Sequence, residues 1–174
     1  MNDRDRLARV EIALLPHLDA AYDLARWLVR NDHDAEDVVQ EAYLRALRYV
    51  DGLRGDDGRA WLLTIVRRTC YTWLRQHRAE RSAPAADDDT ADDDTAPTPE
   101  AVLIQRADRE LVRVAIEALP IEFREVLVLR ELEDLSYKEI AAVVDVPLGT
   151  VMSRLARARE RLHRDLVRRA PRGD

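Results

Sequence analysis

The chain has 174 residues, with 28 Lys and Arg against 34 Asp and Glu, so its formal net charge is −6. A chain of this length holds one or two small domains, each with only a modest core. One cysteine, Cys70, excludes an internal disulfide, the four scattered histidines form no metal-ligand cluster, and no apolar run reaches membrane-spanning length.

The start, MNDRDRLARV, has no secretory apolar region, so a cytoplasmic protein without membrane insertion is expected. Leu7 to Leu14 is apolar at helical spacing and Pro16 interrupts it. Leu18, Ala21, Tyr22, Ala25 and Leu28 carry the 3.6-residue period on to Arg30. Asn31-Asp32-His33 reads as a turn, and Asp34 as the cap of a helix burying Val38, Val39, Ala42, Ala46, Leu47 and Val50. The other face of that helix shows Glu36, Asp37, Gln40, Glu41, Leu44, Arg45 and Arg48. Leu44 stands there among polar residues, which suggests a partner surface, although isolated exposed leucines are common.

Asp51 to Gly58, DGLRGDDG, reads as a loop. From Arg59 to about His77 the helical period returns through Trp61, Leu62, Ile65, Val66, Thr69, Trp73 and Leu74. Its exposed side is expected to carry Arg67, Arg68, Tyr71, Arg75 and Arg78, with Cys70 as semi-buried packing on the flank. Residues 59–81 hold six Arg against one acid, so the net acidity of the chain hides a local basic face. Arginine interleaved with an aromatic suits unpaired nucleic acid, guanidinium on phosphate and ring on base.

SAPAADDDTADDDTAPTP, residues 82–99, has no hydrophobe larger than alanine and six Asp. Such a segment buries too little to offset its ordering entropy, so it reads as a flexible, self-repelling tether between domains 1–81 and 100–174. Beyond it, Val102, Ile104, Leu111, Val112, Val114 and Ala115 predict a helix ending near Leu119-Pro120. A second helix from Ile121 to about Glu133 offers Phe123, Val126, Leu127 and Leu129 to a core.

LSYKEIAAVVDVPLGTVMSRLARARERL, residues 135–162, then reads as two short helices around a tight turn. Ser136 and Glu139 form an S-x-x-E capping box, and Asp145 with Pro147 punctuates the break. The second helix buries Val151, Leu155, Ala158 and Leu162, leaving Ser153, Ala156 and Arg157 opposite with Met152 and Arg154 alongside. With Lys138 and Thr150 nearby and eight Arg in residues 147–174, this is the pattern of a helix-turn-helix that enters a DNA major groove. The fold class is all-α. No nucleophile–base set and no phosphate-binding loop is evident, so neither an enzyme nor a small-molecule substrate or cofactor is expected.

Three blocks, in this order, resemble the extracytoplasmic-function (ECF) subgroup of bacterial RNA polymerase sigma factors. They are DAEDVVQEAYLRALRYV (34–50), RAWLLTIVRRTCYTWLRQHR (59–78) and ALPIEFREVLVLRELEDLSYKEIAAVVDVPLGTVMSRLARARERL (118–162). The resemblance implies a factor that binds core RNA polymerase and directs it to promoter DNA, with an anti-sigma protein as a further partner. It assigns the polymerase clamp to Asp34, Glu36, Asp37, Gln40, Glu41, Leu44, Arg45 and Arg48. It assigns the melted −10 strand to Arg54, Arg59, Arg67, Arg68, Tyr71 and Arg75, with a flipped base held between loop 51–58 and the following helix. The −35 duplex would fall to Lys138, Thr150, Met152, Ser153, Arg154, Ala156 and Arg157. This chain departs from the family pattern at Arg68 (usually Asn), Thr72 (often Asp), Gly58 (often aromatic or apolar) and Ala156 (often larger). An autonomous helix-turn-helix regulator with a helical sensing or dimerisation domain explains residues 118–162 equally well, but not the blocks before them.

Overall fold

A computed structural model describes residues 1–55, 57–78 and 99–171. Among them there is no strand. Helix α1 (Asp3–Ala13) starts at Asn2, whose side chain accepts from the Asp5 amide at 2.9 Å. Pro16 lies in a 3-10 turn, Leu15–His17, which leads into α2 (Leu18–Val29).

The expected turn over Asn31-Asp32-His33, with Asp34 as cap, is overturned. Arg30 takes the left-handed conformation at φ 61, which closes α2 and leaves Asn31 extended. Asn31 Oδ1 then accepts from the Asp34 amide at 3.0 Å, so α3 runs Asp32–Tyr49. The expected loop 51–58 is also shorter than its composition implied. Val50–Gly52 is a 3-10 turn, and Gly58 already belongs to α4 (Gly58–Gln76), capped by Asp57.

Residues 79–98, nearly all of the expected tether, lie outside the described residues. Pro99, assigned to the tether, is the first residue of α5 (Pro99–Glu117), where a ring without N–H costs the helix nothing. Helix α6 (Ile121–Leu127) continues without a break into a π turn, Val128–Leu132. Then come α7 (Tyr137–Val144) and α8 (Leu148–Arg169).

The core explains how two small halves are stabilised. Leu14, Leu24, Leu28 and Leu62 from the first half join one continuous apolar cluster with Leu129, Leu135, Ile140 and Leu155 from the second. Each such side chain contributes about 1.5–3 kcal/mol when fully buried. Helix α4 is central to this arrangement, packing on α2 and α3 and also on α7. Leu62, Val66 and Thr69, at i, i+4 and i+7, are one buried stripe; Leu63 and Cys70, also buried, lie on an adjacent stripe. A helix buried on two sides holds the halves together.

Candidate nucleic-acid interface

The helix-turn-helix is assembled as its residues dictate. Ser136 Oγ accepts from the Glu139 amide at 3.1 Å, and Glu139 Oε1 accepts from the Ser136 amide at 3.0 Å. Asp145 turns left-handed at φ 56 to end α7, and Pro147 opens α8. Val151, Leu155 and Ala158 are buried, which leaves Lys138, Met152, Ser153, Ala156 and Arg157 exposed, with Thr150 and Arg154 half-buried. Ser153 Oγ donates to the Thr150 carbonyl at 3.1 Å, and Arg159 braces α8 on the π turn through Glu131 at 2.7 Å. The exposed set combines Lys138, Ser153 and Arg157 with the small or apolar Ala156 and Met152.

Helix α4 departs from expectation. Arg54, Arg68 and Arg75 are exposed. Arg67 and Tyr71, expected on the same open side, are turned instead against the second half of the chain. Arg67 Nε and a terminal guanidinium nitrogen donate to Glu125 at 2.7 and 3.1 Å, and the guanidinium lies 4.5 Å over the Tyr71 ring. Only 18% of the Arg67 side chain and none of Glu125 reaches solvent. Burial works against the Arg67 charge, but the hydrogen bonds and charge of Glu125 outweigh it, so the guanidinium is held more firmly protonated. Burial pushes the Glu125 carboxyl upward against the pull of Arg67. Burial and then the Glu125 charge also raise the Tyr71 phenol.

Arg59 is also engaged across the halves, donating to the Glu133 carbonyl at 3.2 Å and to the Glu139 carboxylate at 3.4 Å. Arg26 of α2 meets Glu117 of α5 at 3.4 Å. Cys70 is fully buried rather than semi-buried, and burial pushes its thiol up to about 12, so it is packing and not a reactive nucleophile. The acidic members of these pairs, Glu117, Glu125, Glu133 and Glu139, escaped the sequence reading as interface groups. Glu125 stands beside Arg124 and Glu122 at the edge of the apolar run 126–129, so nothing local marks it as buried.

The expected partner face of α3 is open. Glu36, Asp37, Gln40, Glu41, Leu44 and Arg48 are exposed, Leu44 by 51%, while Asp34 and Arg45 are half-buried. Arg45 donates to Glu41 at 2.9 Å, which orders this part of the face. The loop before α4 is pinned back on α1, Arg6 reaching Asp51 at 2.8 Å. Gly58 is required where the family pattern often has a larger residue, because a Cβ there would lie 2.3 Å from the Ala13 carbonyl oxygen. Among the described residues no group of three His, Cys, Asp or Glu is placed to hold a metal ion. No described helix is long and apolar enough to cross a membrane.

Two family models match the chain in the order that the blocks suggested. Sigma-70 region 2 matches residues 14–80, and sigma-70, region 4 matches residues 109–162. The ECF RNA polymerase sigma-E factor of Escherichia coli strain K12 is 39% identical over 137 residues, 73% of this chain and 71% of that protein. The ECF RNA polymerase sigma factor SigE of Mycolicibacterium smegmatis is 35% identical over 146 residues, 84% of this chain and 57% of that protein. Among solved structures, the sigma factor RpoE of Bartonella quintana, in complex with the anti-sigma factor NepR, gives a TM-score of 0.74 at 26% identity, covering 92% of this chain and 98% of that one. CnrH, in complex with the cytosolic domain of CnrY, gives 0.65 at 25% identity, covering 97% and 92%.

Proposed function

This chain belongs to the ECF sigma factors of bacterial RNA polymerase, and from that premise we propose how its surfaces divide the work of promoter recognition. Residues 1–81 bind core polymerase through α3 and read the melted −10 strand through α4. Residues 100–174 read the −35 duplex through α8, and residues 82–99 tether the two. The factor works in the cytoplasm and supplies no catalytic chemistry of its own; the polymerase does the synthesis. An anti-sigma protein is a fitting partner, since RpoE and CnrH, which this chain resembles, were each solved in complex with another protein.

The observation that carries this reading is the coexistence of three chemically distinct surfaces on one helical chain. The α3 face is acidic and polar around an exposed Leu44 and suits a protein partner. The α4 face holds Arg67, Arg68, Tyr71 and Arg75, in part against Glu125. The α8 face is a small polar patch around Arg157. An autonomous regulator needs only the last of these.

Run-off transcription with purified core polymerase on a genomic fragment library tests the assignment. Specific transcripts are expected only when this chain is added. Protection of a specific duplex by the protein alone at nanomolar concentration would count heavily against it, because specific complexes usually bury roughly 1,000–2,500 Å² of protein surface, which a single small domain does not offer.

A further inference from the structure

The arginines of α8 continue well beyond the turns assigned to reading bases. Arg157, Arg161, Arg164 and Arg168 stand at i, i+4, i+7 and i+11, so they share one face of the helix along about 16 Å. Residues 157–169 hold six Arg against Glu160 and Asp165. The helix dipole accounts for basic groups in the last turn, where Arg168 and Arg169 lie, but not for Arg161 and Arg164 farther back. Burial does not account for them either. The side chains of Arg164 and Arg168 are 71% and 77% exposed. Arg161 is exposed too, its guanidinium laid 4.8 Å over the Phe123 ring.

The acids beside these arginines are weak competitors for a stronger anion. Glu160 meets Arg164 at 3.0 Å, but both side chains are largely in solvent, and such a pair contributes little. Asp165 is shared between Arg168 and Arg169, meeting the latter at 2.6 Å, so one carboxylate serves two guanidinium groups. A cleft of about 340 Å³ keeps this side of the helix open. Ala115, Leu119 and Pro120 line it from the end of α5, and Arg161, Arg164 and Arg168 line it from α8.

The path of the helix says what the anion is. With 22 residues, α8 is about 33 Å long, and it runs straight while a major groove about 12 Å wide curves away around the duplex. If the first turns lie in the groove, the later turns pass the phosphates that border it, with Arg161 and Arg164 about 6 and 10 Å beyond Arg157. Guanidinium groups suit phosphate oxygens, which they can hold two at a time. We propose that Arg161, Arg164 and Arg168 form a phosphate track that grips the DNA backbone flanking the −35 element while the first turns of α8 read its bases. This inference rests on the assignment of α8 to the −35 duplex. The track supplies affinity where the reading face is thin: Met152 has no hydrogen-bond donor in its side chain, and Ala156 is small. Affinity of this kind is independent of sequence and dependent on salt.

The test compares wild type with the triple variant Arg161→Gln, Arg164→Gln, Arg168→Gln, each assembled with core polymerase on a duplex carrying a mapped promoter. Affinity is measured against salt concentration, and phosphate ethylation interference maps which backbone positions matter. The triple variant is expected to bind at least about tenfold more weakly at low salt, with a log–log salt slope shallower by about 2–3. It should lose interference at two or three phosphates beside the −35 element and keep the wild-type preference among −35 base variants. Substituting Lys at the same three positions should restore the slope, since the charge is kept. Circular dichroism checks the fold; if the triple variant is misfolded, the three single Gln variants decide, each expected to erase interference at one phosphate. An unchanged slope and interference pattern, with −35 preference still dependent on Arg157, overturns the track alone. Binding indifferent both to the −35 sequence and to Arg157→Ala overturns the assignment of α8, and the track with it.

Discussion

Asp23 of α2 and Glu133, at the end of the π turn, bring two carboxyl groups together across the seam between the halves. Burial, and then the charge of Asp23, raise the Glu133 carboxyl from 4.5 to about 7, with Asp19 adding to the effect and Arg59 opposing it. Burial raises Asp23 as well. A carboxyl raised by burial and by a neighbour across the seam favours the joined halves when protonated. Its contribution is complete below about 4.5, falls as pH rises, and is gone above about 7. The halves should therefore hold together more firmly at pH 5.5 than at pH 8. Scattering at the two values measures this, and Glu133→Gln should flatten most of the difference. An equally compact chain at both values, with an unchanged variant, contradicts the sign.

Gly58 admits no side chain. A Cβ would lie 2.3 Å from the Ala13 carbonyl oxygen, and backbone cannot swing aside as a flexible side chain does. Gly58→Ala is expected to cost about 1–3 kcal/mol, the range for overpacked sites, and to lower the melting temperature by several degrees. Gly149→Ala is the control, since nothing lies within 4 Å of a Cβ there. Thermal melts should separate the two; equal melting temperatures would show that the end of α1 yields easily.

What the amino-acid pattern revealed, and what it hid, follows from the range of the forces involved. Ser136 with Glu139, and Val151 with Leu155 and Ala158, interact within a turn or two of helix, so the helix-turn-helix was legible residue by residue. The cap of α3 was misplaced because Asn31 and Asp34 are both good caps, and the choice was made by Arg30 turning left-handed. The second buried stripe of α4, Leu63 and Cys70, was hidden for a different reason. One helix face can be inferred from its own period, but a second partner arriving from beyond residue 99 leaves no local trace. Arg67 and Tyr71 looked exposed for the same reason: nothing near them in the chain announces Glu125.

The α3 face should behave as a protein-binding surface with its affinity concentrated in few residues. Gln40→Ala combined with Glu41→Ala removes two exposed groups and the partner of Arg45 without touching the core. A loss of about 1–3 kcal/mol in polymerase affinity is expected, roughly 5- to 150-fold, with an unchanged circular-dichroism signal. Competition against unlabelled wild type for core polymerase gives the number. Unaltered affinity would move the docking surface elsewhere.

Arg157 and Arg68 are both exposed arginines on reading helices, yet they should fail differently when removed. Arg157 lies beside Ser153 on the face of α8 opposite buried Leu155, and on the proposed reading this face enters the groove of the duplex. A bidentate arginine–guanine contact contributes roughly 1–3 kcal/mol of discrimination. Arg157→Ala should relax preference at one −35 base pair and leave the other positions as they were. On the proposed reading Arg68, exposed on α4 with Arg75, meets a melted strand, where exposed arginines follow the backbone rather than base edges. Arg68→Ala should weaken open complexes evenly across −10 variants and reduce the salt dependence by about one phosphate contact. Open-complex lifetimes on a panel of single-base promoter variants, at two salt concentrations, separate the two behaviours. A loss confined to one −10 base would make Arg68 a reader of sequence, and the same even loss from Arg157→Ala would make that residue a backbone contact.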